Sequence, residues 1–453
     1  MVVDASSKEI TMKLASFMVE TKYPQIPEKV TEFAKLLALK TVSGMVAGST
    51  LPTPRKLANL IRGRRLPEDV GAIGSSFKTS LWEAVFFNAF LAHSSELEDD
   101  AFFGGTSWDI TVIPLLFSLA EHLRLSGKAL TEALVLGLEV HARTCLFRSQ
   151  QLGASLISGA AGPAAAAAKV LGLGVQETAY ALGLATSGVP LATINHGTDA
   201  HYFESALQSL QGIMAAELAR EGMNSNPAMP TYLTDLLGKD QVTPGKMVEN
   251  LGSEWLFINT WIKKYPCCFA NHRAIDLVLE LRKKHNLSYE QVKEIEIHSH
   301  PRHWPLDRPE PKTVGDLQFS FQHTLGAAML DGDVNLTHFS SDMTADPRYK
   351  EARSKVKVFI HPELSPILMK EPQRVIIKTK DGKKFVGERQ YTIGSPYEPL
   401  TSEQIRALYS KFTHSFLEEP EIERTAQAIL NLEKLNDVRE LMEILTFGST
   451  IRK

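Results

Sequence analysis

Residues Ile262–Leu281 read IKKYPCCFANHRAIDLVLEL. Pro266 biases Tyr265 away from the α region, so the chain breaks here before a new helix can start. Upstream of the break the apolar residues recur at helical spacing. Downstream, a short helix leads into segments that alternate apolar and polar residues. The stretch therefore marks a change of architecture. It also places Lys263 and Lys264 at a break, where an ammonium group can be aimed at an anion instead of lying along a solvated helix. Taken by spacing alone, they read equally as exposed loop lysines.

Upstream, Phe33, Leu36, Leu37 and Lys40 mark one amphipathic helix, and Leu115, Leu116, Leu119 and Leu123 mark another. Ala164–Ala168 is a run of good helix formers whose small side chains allow a neighbouring helix to come close. Strand-like alternation is scarce, and the segment from Ser6 to about Phe257 is expected to form an all-helical domain. Downstream, Ala274–Lys284 is expected to be a helix that ends before Asn286–Ser288. Val292–His298 (VKEIEIH), Val356–Ile360 and Arg374–Thr379 read as half-buried strands. Asp381-Gly382 reads as a hairpin turn into Lys384–Gly387, and a helix is expected around Phe321–Leu330. Helical texture returns after Thr401 or Ser402, with Glu403 and Gln404 close behind. The expected fold class is mainly α: a helical domain over residues 1–266 and 399–453, with an inserted α+β lid over 267–398.

A chain of 453 residues exceeds what a single hydrophobic core usually supports, so two domains are expected. A net charge of −3 gives no broad basic field, which argues against nucleic acid as the main partner. No apolar run reaches the length needed to span a bilayer, and the N-terminus has no charged-then-apolar signal pattern. These features predict a cytoplasmic protein with no membrane partner. Cys267 and Cys268 are adjacent, which is poor geometry for a disulfide between them, and Cys145 stands alone, so reduced thiols are expected. His298, His300 and His303 have a spacing that a bent backbone could turn towards zinc, but no cysteine is near, and no metal is expected there.

Several motifs resemble the MmgE/PrpD family, which includes 2-methylcitrate dehydratases, cis-aconitate decarboxylases and an iminodisuccinate epimerase. Lys263–Cys268 resembles its KxYPxC stretch, and Ala133–Glu139 its EALVLGYE helix. Ala164–Leu173 and Ala185–Gly188 resemble its small-residue helices, and Gly394–Leu400 its GSPxNPL turn. Ala92–Asp100 (AHSSELEDD) resembles its AHxxDxDD segment. The resemblance implies a homodimer with no cofactor, C-terminal helices packed back on the helical domain, and a site between that domain and the lid.

It also nominates site residues. Lys263 stands at the family's lysine, and Glu96 at its first motif aspartate, one methylene longer. Glu96, Glu98, Asp99 and Asp100 crowd one another, which raises at least one carboxyl pKa and makes a general acid or base near neutrality. By spacing alone the run is equally an acidic helix end. Asp100 replaces a family threonine. His201 stands where the family has the lysine of GTMTK, and His323 where it has the aromatic of HSFQY. The family's further histidines have no counterpart in Gly105–Trp108 or Gln150–Ser158. Glu96, His201, Lys263 and His323 are thus the expected catalytic groups. His93, Asp100, Tyr202, Lys264, His272 and Arg273 are the expected substrate contacts, with His196 and Asp199 as weaker candidates.

This pattern points to an enzyme that moves a proton next to a carboxylate of a small di- or tricarboxylic acid, by dehydration or decarboxylation. Epimerisation by two bases and a non-catalytic relative are the rival expectations. With one lysine and two histidines of the family pattern missing, 2-methylcitrate itself is not the expected substrate.

Overall fold

The computed structural model describes residues 5–101, 107–146, 159–187, 195–238, 243–365 and 370–448. Gly105 and Thr106 of the stretch Gly105–Trp108, and all of Gln150–Ser158, lie outside these residues.

The helical part is built around Glu28–Ser49, which Pro27 precedes and Glu28 opens with a carboxylate at the positive helix end. From Leu37 onward nearly every residue of this helix is buried, because other helices cover it on all sides. Leu81–Ser94 is apolar around most of its circumference and packs among Glu28–Ser49, Asp109–Leu123 and Asp199–Arg220. The crossing of Glu28–Ser49 with Leu81–Ser94 is close. A Cβ at Gly48 would lie 2.1 Å from the Leu91 carbonyl oxygen. The Ala161–Val170 helix carries the alanine run into a contact with Gly127–Leu146, where a Cβ on Gly137 would meet Ala166 at 2.6 Å.

The helical part is not purely helical. β1 (Val70–Ala72) and β2 (Phe77–Thr79) form an antiparallel hairpin. Three-residue strands are too short to show alternation, and β1 is buried throughout, so the sequence carries no period there. Helix side chains complete its hydrogen bonding. Asn88 accepts from Ile73 N–H at 3.0 Å and donates to the Gly71 carbonyl at 3.0 Å, and Glu121 accepts from Gly71 N–H at 2.8 Å.

The α+β part holds a four-stranded sheet ordered β4-β3-β5-β6, made of β3 (Val292–Ser299), β4 (Val356–Ile360), β5 (Gln373–Thr379) and β6 (Lys384–Arg389). β3 runs parallel to β4 and antiparallel to β5, and β5 turns into β6 through Gly382 at φ +88°. The helices His272–Lys284 and Phe321–Asp331 pack together on the sheet.

Two cores follow the change of texture. One gathers buried apolar residues between positions 10 and 262 and again between 405 and 445. The other runs from Tyr265 to Ile377. Ser402–Thr413 is capped by Thr401, whose side chain accepts from Gln404 N–H while Gln404 accepts from Thr401 N–H at 2.8 Å. This helix buries Ile405, Tyr409 and Phe412 and packs on Glu28–Ser49. Among the described residues no helix is long and apolar enough to cross a membrane. The three cysteines form no disulfide.

Candidate active site

The Leu81–Ser94 helix ends in the segment that carries the acidic run. Ser95 keeps a helical backbone, and Glu96 then turns left-handed at φ +54°. For a residue with a Cβ that conformation costs on the order of 1 kcal/mol. The turn sends Leu97–Asp100 back towards the boundary between the two cores, where Asp100 pairs with Trp261 through both backbone groups. Lys263 lies two residues farther on. Its N–H donates to Asp99 Oδ1 at 2.8 Å. Its ammonium donates to Glu98 and to the Glu96 carbonyl at 3.2 Å, and lies 3.5 Å from Glu96 Oε2. Lys263 and Glu96 are each only 1% exposed, so these contacts act with little solvent screening.

Lys40, which the sequence places among the face residues of an amphipathic helix, is fully buried. It donates to the Leu97 carbonyl at 2.7 Å and lies 3.5 Å from Asp99. Asp109 is buried beside it and accepts from Thr41 at 3.1 Å and from Asp99 N–H at 3.2 Å. Four buried carboxyl groups (Glu96, Glu98, Asp99, Asp109) and the half-buried Asp100 thus face two buried ammonium groups, Lys40 and Lys263. Burial, then Glu98, pushes the Glu96 carboxyl well above its ordinary range despite Lys263. Burial, then Asp99, does the same to Asp109. Burial raises Asp99 to about 6 against the pull of Lys40, and burial with the charge of Glu98 raises Asp100 to about 6. Burial alone would lower the Lys263 ammonium, but Glu98, Glu96 and Asp100 together hold it above its usual value.

On the other side of Glu96 sit two imidazoles. One ligand-type atom from each of His93, Glu96 and His201 lies within 4.8 Å of the others. The His93 and His201 rings meet edge to face at 4.2 Å, and His196 lies 4.5 Å from His201. Burial, then the charge of Lys263, keeps His93 neutral. Burial, then His93, keeps His201 neutral, and burial lowers His196 to about 4. Glu96 Oε1 and His201 Nδ1 are buried with no hydrogen-bond partner among the described residues. Glu96 therefore touches both Lys263 and the histidines, and the long sequence separations close into one cluster.

A cleft of about 460 Å³ lies between the two parts of the chain, bounded by Leu51–Pro54, Ser94, Thr198, Asp199 and Tyr202 on one side and by Thr313–Asp316 and Gln318 on the other. The Tyr202 hydroxyl donates to Gln318 at 3.2 Å across it, and the Tyr202 ring packs on His93 at 5.4 Å. Tyr202 thus joins the cleft to the buried cluster. Burial, then Glu96, holds its phenol well above its ordinary pKa, so it stays a hydrogen-bond donor. Among the described residues the lining holds Asp199 and Asp316 and no lysine or arginine, and Arg308 pairs with Asp316 at 2.9 Å.

Four expected residues are held elsewhere. His323 is buried in the α+β core, where Nε2–H donates to the His338 carbonyl at 2.7 Å and Nδ1 faces Arg353 at 3.4 Å. Burial and Arg353 lower it to about 3, so it packs as a neutral ring. Lys264 pairs with Asp276 at 2.6 Å, and Arg273 donates to the carbonyls of Glu371 and Gln390 at 2.9 Å each. His272 stacks on Phe269 at 4.9 Å, with Nε2 3.3 Å from the Cys267 carbonyl. Asp100 does reach the cluster, held by Ser107 at 2.8 Å. Of the histidines at 298, 300 and 303, His298 lies 2.9 Å from His361, His300 accepts from Arg302 N–H, His303 meets Ser299 at 2.8 Å, and the His300 and His303 rings lie 5.2 Å apart.

Sequence reading missed Lys40 and Asp109. A lysine inside an otherwise apolar helix and an aspartate at the start of one were the available signals, and both are common on solvated surfaces. Ser205, which lies 2.8 Å from His93 Nδ1, carried no signal at all.

Known proteins resemble the chain along nearly all its length. The MmgE/PrpD N-terminal domain matches residues 12–234 and the MmgE/PrpD C-terminal domain residues 265–434. The chain is 24% identical over 468 residues to a cis-aconitate decarboxylase of Homo sapiens, spanning 97% of this chain and 95% of that protein. It is 25% identical over 476 residues to the cis-aconitate decarboxylase-like protein oryM of Aspergillus oryzae, spanning 96% and 97% respectively. A cis-aconitate decarboxylase of Mus musculus is 27% identical over 390 residues, spanning 80% of this chain and 78% of that protein. The chain belongs to the MmgE/PrpD family.

Proposed function

We propose that the chain is a lyase-type acid/base enzyme that eliminates water from, or decarboxylates, a small carboxylic acid bearing at most two carboxylates. One observation carries this reading. Glu96 is a buried carboxyl whose pKa burial and Glu98 push well up, with one oxygen left without a hydrogen-bond partner among the described residues, beside both the Lys263 ammonium and the His93–His201 pair. In an elimination, His201 takes the proton from the carbon next to a carboxylate. Glu96 delivers its proton to the departing hydroxyl, which leaves as water. In a decarboxylation, Glu96 protonates the carbon skeleton as carbon dioxide leaves. In the elimination Lys263 stabilises the charge that develops at the carboxylate next to the deprotonated carbon, and in the decarboxylation it stabilises the charge that passes from the departing carboxylate into the carbon skeleton.

The charge balance supports a limit on the substrate. The cluster holds more carboxyl groups than cations, and among the described residues the cleft lining adds Asp199 and an Asp316 that Arg308 pairs at 2.9 Å. A tricarboxylate such as 2-methylcitrate needs several donors and meets repulsion instead. Two-base epimerisation fits less well, because bases contacting opposite faces of one carbon at about 3 Å each stand about 6 Å apart. His201 and Glu96 lie within 4.8 Å. The homodimer that the family resemblance implies belongs to this proposal, and light scattering tests it.

The test is to incubate purified protein with small mono-, di- and tricarboxylates, including cis-aconitate and 2-methylcitrate, and to follow products by NMR. We expect turnover of an acid with one or two carboxylates, falling about a hundredfold or more in Glu96→Gln and in His201→Asn. Turnover that survives both substitutions overturns the site, and methylcitrate as the best substrate overturns the charge limit.

A further inference from the structure

We infer that His93, Glu96 and His201 form a binding site for a divalent transition metal of the zinc class, a property that the acid/base reading does not need. The three ligand-type atoms lie within 4.8 Å of one another, and all three residues are buried. A tetrahedral zinc ion takes imidazole nitrogen and carboxylate oxygen at about 2.0–2.2 Å. Drawing three atoms at this spacing around one ion requires each to move inward by less than about 1 Å.

The tautomers favour ligation. The Ser205 hydroxyl gives its only proton to the Tyr202 carbonyl, at 3.0 Å. At its 2.8 Å contact with His93 it must therefore accept, which makes His93 Nδ1 the protonated nitrogen and leaves a lone pair on Nε2. A ligating histidine is usually fixed in this way, by a hydrogen bond from its other nitrogen. In these three residues His201 Nδ1 and Glu96 Oε1 are buried without a hydrogen-bond partner among the described residues. Lys263 opposes a cation here, but Glu98 lies against its ammonium and Asp100 adds a further carboxylate. Two imidazoles with one carboxylate suit zinc or cobalt and not the all-oxygen preference of calcium or magnesium. Three protein ligands leave one coordination position open.

The site shares residues with the proposed reaction, but its test does not use turnover. Full-length protein, freed of metal by chelator, is titrated with Co²⁺ alone and followed by visible absorption. We expect one equivalent per chain to give the d–d bands of a four-coordinate cobalt centre, bleached by one equivalent of Zn²⁺. Glu96→Gln and His201→Asn, each checked for folding by circular dichroism, should weaken binding at least about tenfold, since even loss of an outer partner costs that much. His298→Asn, which alters the separate histidine pair, should bind as the unaltered protein does. Absence of bands in folded protein overturns the site. So do bands that persist in whichever of the two cluster variants folds, or bands lost in His298→Asn.

Discussion

The ammonium of Lys263 and the carboxylate of Glu96 are 3.5 Å apart, yet the contact does not return Glu96 to an ordinary acidity. Burial and the neighbouring charge of Glu98 outweigh the lysine, which Glu98 already occupies. The acid is therefore held in reserve beside a cation that a second carboxylate keeps charged.

Glu96→Gln should leave the fold intact at neutral pH, because glutamine replaces a protonated carboxyl of nearly the same shape. The pH dependence fixes the sign. A carboxyl whose folded pKa is raised contributes stability below about pH 4.3 that is lost as pH rises through the folded pKa. Urea denaturation between pH 5 and about 9 should show the variant gaining on the unaltered protein as pH rises. A constant difference would mean that Glu96 is ionised throughout.

Lys263→Met leaves the buried Glu98 and Glu96 and the half-buried Asp100 without their shared cation. Removing one member of a buried charge cluster costs about 3–5 kcal/mol. That loss should appear in chemical denaturation at about pH 8 and shrink near pH 5, where the carboxyls take up protons. Equal losses at both values would count against this electrostatic account.

His323→Gln separates packing from chemistry. Its folded pKa is about 3, against about 6.5 when unfolded, so the native state resists a proton that the unfolded state accepts. Between pH 4 and 6 this one group makes stability rise with pH by about 1.4 kcal/mol per unit. Glutamine can still donate to the His338 carbonyl but does not titrate, so that slope should fall by about this amount while turnover stays within about twofold. A large loss of turnover at unchanged stability would return His323 to the reaction.

Gly48→Ala tests how the site is placed. The added methyl meets the Leu91 carbonyl at 2.1 Å, and Leu91 is two residues before His93. Overpacking of this kind costs about 1–3 kcal/mol, more than the helix propensity that alanine adds. The urea midpoint should drop, and turnover should drop beyond what unfolding explains. An unchanged midpoint would show that the two helices can slide apart at no cost.

Much of the architecture was legible because period is written in every residue. The switch from helical spacing to alternation around Pro266 coincides with the change from one core to the other between Ile262 and Tyr265. The β1–β2 hairpin was not legible, since its backbone bonds depend on Asn88 and Glu121, which nothing local marks. The site divides in the same way. Motif positions point to Glu96, Lys263, His93 and His201, and the structure brings these four together. Motif position also pointed to His323, which the fold instead seals under Phe339 and Tyr349. Lys40 and Asp109 were invisible because their meaning comes from Asp99, and only the turn at Glu96 brings that residue between them.

The residues just before Pro266 belong to no long helix or sheet, yet their amides are tied down one after another. Trp261 N–H donates to Asp100 at 2.7 Å, Ile262 N–H to Gly394 at 2.8 Å, and Lys263 N–H to Asp99 at 2.8 Å. Each bond reaches a segment distant in sequence. Deuterium should enter these three positions at rates set by global unfolding, like a helix interior and unlike a loop. The connection between the two cores is a rivet, and any motion that opens the cleft must flex around it.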